Sequence, residues 1–123
     1  MKLLALDYGS ARTGVAVSDP TGTVARPVGV VEAAGTERGL ERLRELVAAH
    51  APDRVVVGLP LTLRGERGAQ AEETERFAAA LRERLPCPVE LYDERFTSVL
   101  ADGDDARAAA HLLASYLEWS RGR

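Results

Sequence analysis

Leu3-Leu4-Ala5-Leu6-Asp7-Tyr8-Gly9 and, one turn later, Thr13-Gly14-Val15-Ala16-Val17-Ser18-Asp19 are two apolar runs joined by the polar stretch Gly9-Ser10-Ala11-Arg12. They read as a β-hairpin in which a carboxylate, Asp7, leaves the sheet just where the first strand stops. An acid at the end of an otherwise apolar strand needs a charged partner, and a metal ion or a phosphate suits that place. The alternative is a turn residue bonding its own backbone. The rest of the chain decides what company Asp7 keeps.

Thr23 to Glu32 alternates and contains Arg26-Pro27, so it reads as a third strand with edge or bulge character at the proline. From Thr36 the period changes to that of a helix, with Leu40, Leu43, Leu46 and Val47 on its apolar side, Thr36 as N-cap and Pro52 as stop. Arg54-Val55-Val56-Val57-Gly58-Leu59-Pro60 is a continuous β-branched run following a helix, the mark of a buried parallel strand. A polar segment, Thr62 to Gly68, precedes a second helix with Ala71, Phe77, Ala78, Leu81 and Leu85 inward, ended by Pro86. Pro88 to Glu94 is a fifth strand that also ends in acid. Asp105 to Trp119 is a last helix carrying Ala108, Ala109, Leu112, Leu113, Tyr116 and Leu117 on one stripe.

The 123 residues, 46% of them hydrophobic, suit a single domain spanning 1–123 with one core. No apolar stretch is long enough to cross a bilayer and no signal-peptide pattern opens the chain, so a cytoplasmic protein without membrane attachment is expected. One cysteine, Cys87, excludes an intramolecular disulfide, and two separated histidines, His50 and His111, do not suggest zinc. A net charge of −3 runs against a broad phosphate-binding face. Yet the cations are almost all arginine, with Lys2 the only lysine, and guanidinium groups grip phosphates with two parallel bonds. Arg12 lies in the first turn, Arg64 and Arg67 in a loop with Gly65 and Gly68, and Arg95 directly after the pair Asp93-Glu94. That loop lacks the Lys-Ser/Thr ending of a nucleoside-triphosphate loop and reads either as a phosphate clamp or as an ordinary loop.

The element order is three antiparallel strands, helix, strand, helix, strand, helix. This is a ribonuclease H-like α/β layout: a five-stranded mixed sheet in the order 3-2-1-4-5, strand 2 antiparallel, flanked by helices. Its first strand is central, so Asp7 and Glu94 leave at the carboxyl ends of their strands, where α/β sites form. Asp105, at the start of the last helix, could lean over the same point, or serve only as an N-terminal helix cap that favours negative charge. Three such carboxylates repel one another unless divalent cations sit between them, and hard oxygen ligands favour Mg2+ or Mn2+.

The chain also resembles the YqgF (RuvX) group of ribonuclease H-like proteins. Four motifs carry the likeness: Leu6-Asp7-Tyr8-Gly9 with Arg12 to Asp19; Val57-Gly58-Leu59-Pro60 with Gly65 and Gln70-Ala71-Glu72; Asp93-Glu94-Arg95-Phe96-Thr97-Ser98; and Asp105 with Ala108-Ala109 and Ser115-Tyr116-Leu117. The resemblance implies a metal-dependent nuclease that hydrolyses phosphodiester bonds, in 5′-end processing of pre-16S rRNA or, alternatively, in resolving Holliday junctions. Its acidic site falls on Asp7, Glu94 and Asp105, as catalytic residues and as ligands of a two-metal site, with Asp93 as the alternative to Glu94. Asp7 would bridge both metals. One metal would activate a water and the other stabilise the leaving oxygen. Arg12, Arg64, Arg67, Arg95 and Thr97 are the expected substrate-binding residues, Arg95 either orienting Glu94 or neutralising a phosphate oxygen, or else pairing with Asp93. The chain departs from the family in one place. Where the family carries an extra helix and a basic stretch, only the short acidic segment Val99 to Asp104 intervenes.

Two other readings use the same residues. Asp7-Tyr8-Gly9 before a hairpin resembles the first phosphate motif of the actin and sugar-kinase superfamily, which requires two such domains closing on ATP. A noncatalytic protein that binds RNA or a ribosome-assembly partner is favoured by the acidic charge and the shortened segment. The expected partner is nucleic acid, structured RNA or branched DNA, and the protein is expected to be a monomer or a homodimer.

Overall fold

The computed structural model describes residues 1–61, 64–93 and 105–121. Five strands, β1 (Leu3–Asp7), β2 (Arg12–Ser18), β3 (Ala25–Glu32), β4 (Arg54–Leu59) and β5 (Val89–Asp93), form one sheet in the order β3-β2-β1-β4-β5. β2 runs antiparallel to β1 and β3, while β4 and β5 run parallel to β1 and to each other. Three helices complete it: α1 (Glu37–His50), α2 (Ala69–Arg84) and α3 (Asp105–Arg121). This is the architecture that the periodicities predict.

Local chemistry sets the boundaries. β3 begins two residues later than the alternation suggests, because Thr23 and Val24 donate their N–H groups to Asp19 Oδ1 at 2.7 and 2.8 Å. Those amides, with the Thr21 hydroxyl, hold the Asp19 carboxyl below the usual carboxylate range. At Pro27 the register with β2 slips by one residue, the expected bulge. Proline and bulge together blunt an edge strand whose Val28 and Val30 are exposed. Thr36 caps α1 by accepting from Gly39 N–H at 3.2 Å, and Ala51 closes the helix in a left-handed conformation ahead of Pro52.

The sheet is covered unequally on its two sides. α1 and α2 bury Leu40, Leu43, Val47, Phe77, Ala78 and Leu81 against Leu4, Leu6, Val15, Val17, Val55 and Val57. Among the described residues α3 alone covers the other side, setting Ala109, Leu112, Leu113, Tyr116 and Leu117 on Leu3, Ala5, Ala16, Val56 and Tyr92. Alternation along β1 therefore assigns Asp7, like Leu3 and Ala5, to the α3 face, and Tyr8 to the other. Among the described residues no helix is long and apolar enough to cross a membrane.

Candidate active site at the carboxyl ends of the strands

Asp7 is the last residue of β1 and is half-buried; its cross-strand partner in β2 is Gly14. The turn between them is closed by buried Thr13, whose Oγ1 lies 3.4 Å from both the N and the O of Gly9. Gly9 itself has no room for a side chain, since a Cβ there would stand 2.5 Å from the Arg12 carbonyl oxygen.

The first turn of α3 is seated directly on Gly14. A Cβ on this glycine would overlap the carbonyl group of Asp105 and lie 3.0 Å from the backbone N of Ala106. The helix start is thus brought beside the residue that pairs with Asp7, on the face to which strand alternation assigns Asp7. Asp105 also forms an ion pair with Arg12, its Oδ2 lying 3.2 Å from the guanidinium Nε. A negative charge in the first turn is additionally favoured by the helix dipole.

Tyr8 anchors the backbone immediately after Asp7 on the opposite face. Its ring stacks on Phe77 with centroids 4.2 Å apart, and its hydroxyl donates to Glu73 Oε2 at 2.7 Å. Burial and then the Glu73 carboxylate push the phenol up to about 12. Strand alternation separates the rivals at the end of β5: Tyr92 packs against α3, whereas Asp93 falls in phase with Val89 and Leu91, on the α1–α2 side. Asp93 is therefore out of phase with Asp7. Glu94, Arg95, Thr97 and the segment Val99 to Asp104 lie outside the described residues.

The remaining described candidates lie in the loop that follows β4. Arg67 is held by Glu75 of α2, its Nε 3.0 Å from both carboxylate oxygens, and its loop is closed by a bridge between Leu61 and Arg67. Arg64 is exposed and has no ion pair among the described residues. Among those residues no three His, Cys, Asp or Glu side chains are grouped as a metal site. Asp7 and Asp105, on separate elements, carry hard carboxylate oxygens, the donor type of a hard divalent cation and not of a soft metal.

Two residues of this site escape a reading by residue type: Gly14, which seats Asp105, and Tyr8, which pins the strand end. The signal for Gly14 was present, since a glycine inside an apolar strand marks a close backbone approach.

Comparison with known proteins adds to this geometry. Residues 1–119 match the model of a family described as RuvX, Holliday junction resolvase. A Chloroflexus aurantiacus protein named "Putative pre-16S rRNA nuclease" is 51% identical over 100 residues, 81% of this chain but 65% of the relative, so the match spans just under two-thirds of that protein's length. A Geobacillus kaustophilus protein of the same name is 40% identical over 139 aligned positions, covering 98% of this chain and all of the relative. Because this chain has 123 residues, at least 16 of those 139 positions are gaps in it. In fold, the chain is similar to Thermus thermophilus RuvC, with a TM-score of 0.64 at 16% identity over 99% of this chain and 97% of the other. The same protein in complex with a Holliday junction substrate gives 0.65 at 16% identity, over 99% and 96%.

Proposed function

The chain belongs to the RuvX family, and from that membership we propose that it is, as one domain over residues 1–123, a metal-dependent nuclease that hydrolyses phosphodiester bonds in 5′-end processing of pre-16S rRNA. The observation that supports the chemistry is the seating of the first turn of α3 on Gly14, the cross-strand partner of Asp7 at the carboxyl end of the central strand. The names of the relatives support the RNA substrate.

Asp7, Asp105 and Glu94 would hold the metal. The chemistry a divalent ion supplies when bound is stabilisation of charge on the phosphate and a lowered pKa for water. The chain's own part is positional. Asp7 is fixed by the sheet and by Tyr8 behind it, Asp105 by the helix seat, and both are acceptors only, so they repel the substrate phosphate until a cation intervenes. Arg12, largely exposed beside Asp105, would contact a phosphate of the substrate backbone. Arg64, Arg67, Arg95 and Thr97 are the further substrate-binding residues of this reading; for Arg67 this requires exchanging Glu75 for a phosphate.

The test is incubation of the protein and its Asp7→Asn variant with labelled precursor 16S rRNA and with a four-way DNA junction, in Mn2+, Mg2+ or chelator. Cleavage of the RNA that needs metal and is lost in the variant supports the proposal. Preferential cutting of the junction would instead favour the resolvase activity in the family's description. No metal-dependent cleavage of either substrate would favour a noncatalytic nucleic-acid-binding role.

A further inference from the structure

We propose that Gly14 is a positioning residue of the active site: its bare α-carbon sets where the Asp105 carboxylate stands relative to Asp7. The inference rests on the reading above, through Asp105 as a metal ligand, and adds a residue of β2 that carries no functional group.

Gly14 occupies a buried position on the α3 face near the carboxyl end of β1, paired with Asp7 on one side and with Val30 of β3 on the other. The atoms that a Cβ would meet are not a movable side chain. They are the Asp105 carbonyl and the Ala106 amide nitrogen, part of the first turn of α3. A methyl group there can be accommodated only by lifting that turn as a unit, and the Asp105 side chain travels with it. Asp7 does not travel, because it belongs to a central strand hydrogen-bonded on both sides. Metal sites require their ligands within about 0.5 Å of the productive geometry, so a displacement of helix against sheet is read out directly as lost affinity. The other tie on Asp105, its ion pair with Arg12, joins two partly exposed groups and holds weakly. The backbone seat is therefore the stronger determinant.

A matched control lies one strand away. Gly29 in β3 has nothing within 4 Å of the place where a Cβ would stand, so Gly29→Ala makes the same chemical change without the collision.

The experiment is a Mn2+ titration followed by electron paramagnetic resonance, in the cold, on wild type, Gly14→Ala, Gly29→Ala, Asp105→Asn and the double variant Gly14→Ala/Asp105→Asn, with circular dichroism of each. The expected result is at least a tenfold loss of Mn2+ affinity in Gly14→Ala with a native spectrum, and no change in Gly29→Ala. The double variant should bind no more weakly than Asp105→Asn alone, because Gly14 acts through Asp105. Wild-type affinity in Gly14→Ala, or losses that multiply in the double variant, would overturn the proposal. So would a Gly14→Ala chain without a native spectrum, since the glycine would then hold the whole fold and not the place of one carboxylate. If Asp105→Asn alone binds Mn2+ as wild type does, Asp105 is not a ligand and the inference falls with that assignment, whereas loss in Asp105→Asn beside wild-type binding in Gly14→Ala removes only the role of the glycine.

Discussion

The two faces of the sheet are built from different materials. The side under α1 and α2 is aliphatic and large, with Leu4, Leu6, Leu43, Leu81, Val55 and Val57 fully or almost fully buried. The side under α3 also buries large residues, Leu112, Leu113, Tyr116 and Leu117, but sets them on a sheet surface that includes the small Ala5, Gly14 and Ala16, and it adds polar links. On that side Arg54 Nη1 donates to Glu90 Oε1 and to the Tyr116 hydroxyl, each at 3.0 Å, and Tyr116 donates to Glu90 at 2.8 Å. Small residues let a helix approach the sheet backbone closely enough to bring its first carboxylate to the strand ends. Large ones bury more apolar area and exclude water more completely. The larger apolar cluster is thus on one face and the proposed chemistry on the other.

That division can be broken from either side. The largest effect is expected for Asp7→Asn, which should lower metal-dependent cleavage by about 10³-fold or more, on the order of 4 kcal/mol in the transition state, while thermal unfolding stays near that of wild type. The converse is Leu81→Ala. Leu81 is fully buried under α2, so the truncation should cost about 2–5 kcal/mol in urea unfolding yet leave the cleavage rate of the folded fraction within about twofold. A large fall in that rate would show that the faces are coupled.

The polar links of the α3 face sharpen the comparison. Arg54→Met removes the shared donor to Glu90 and Tyr116 and should cost about 1–2 kcal/mol, the pair being about a third exposed. A double-mutant cycle with Glu90→Gln measures the coupling. Smallest is Tyr8→Phe, about 0.5–1.5 kcal/mol at neutral pH for one hydrogen bond. Its distinctive effect is on the alkaline side. The phenol titrates near 10 when unfolded and at about 12 when folded, so the folded state holds its proton more tightly. The contribution is complete below pH 10 and is lost as pH rises towards 12. Urea unfolding at pH 9 and pH 11 should therefore show a shallower decline for Tyr8→Phe than for wild type.

The reach of a one-dimensional reading is visible in particular residues. Leu40, Leu43, Val47, Phe77, Leu81, Leu112 and Leu113 were assignable to the core because helical spacing puts them on one stripe, and all are buried. The bulge at Pro27 was legible because proline lacks the donor that an interior ladder needs. Thr74 was not: it is buried within α2, where its hydroxyl bonds the Gln70 carbonyl at 2.9 Å, and nothing in its type distinguishes it from an exposed threonine. Arg67 reads as a free cation beside two glycines, but it is paired with Glu75.

By itself the sequence determined the element order, the inward faces and the acids at strand and helix ends, because each follows from periodicity or turn chemistry within a few residues. Only the tertiary structure decided which of those acids share a face, that Asp93 is out of phase with Asp7, and that Asp105 is seated on Gly14 and paired with Arg12. Those relations join residues far apart in the chain: strand alternation across the assembled sheet fixes the face of Asp93, and the seat of Asp105 is fixed by how closely a helix packs on that sheet where Gly14 has no side chain.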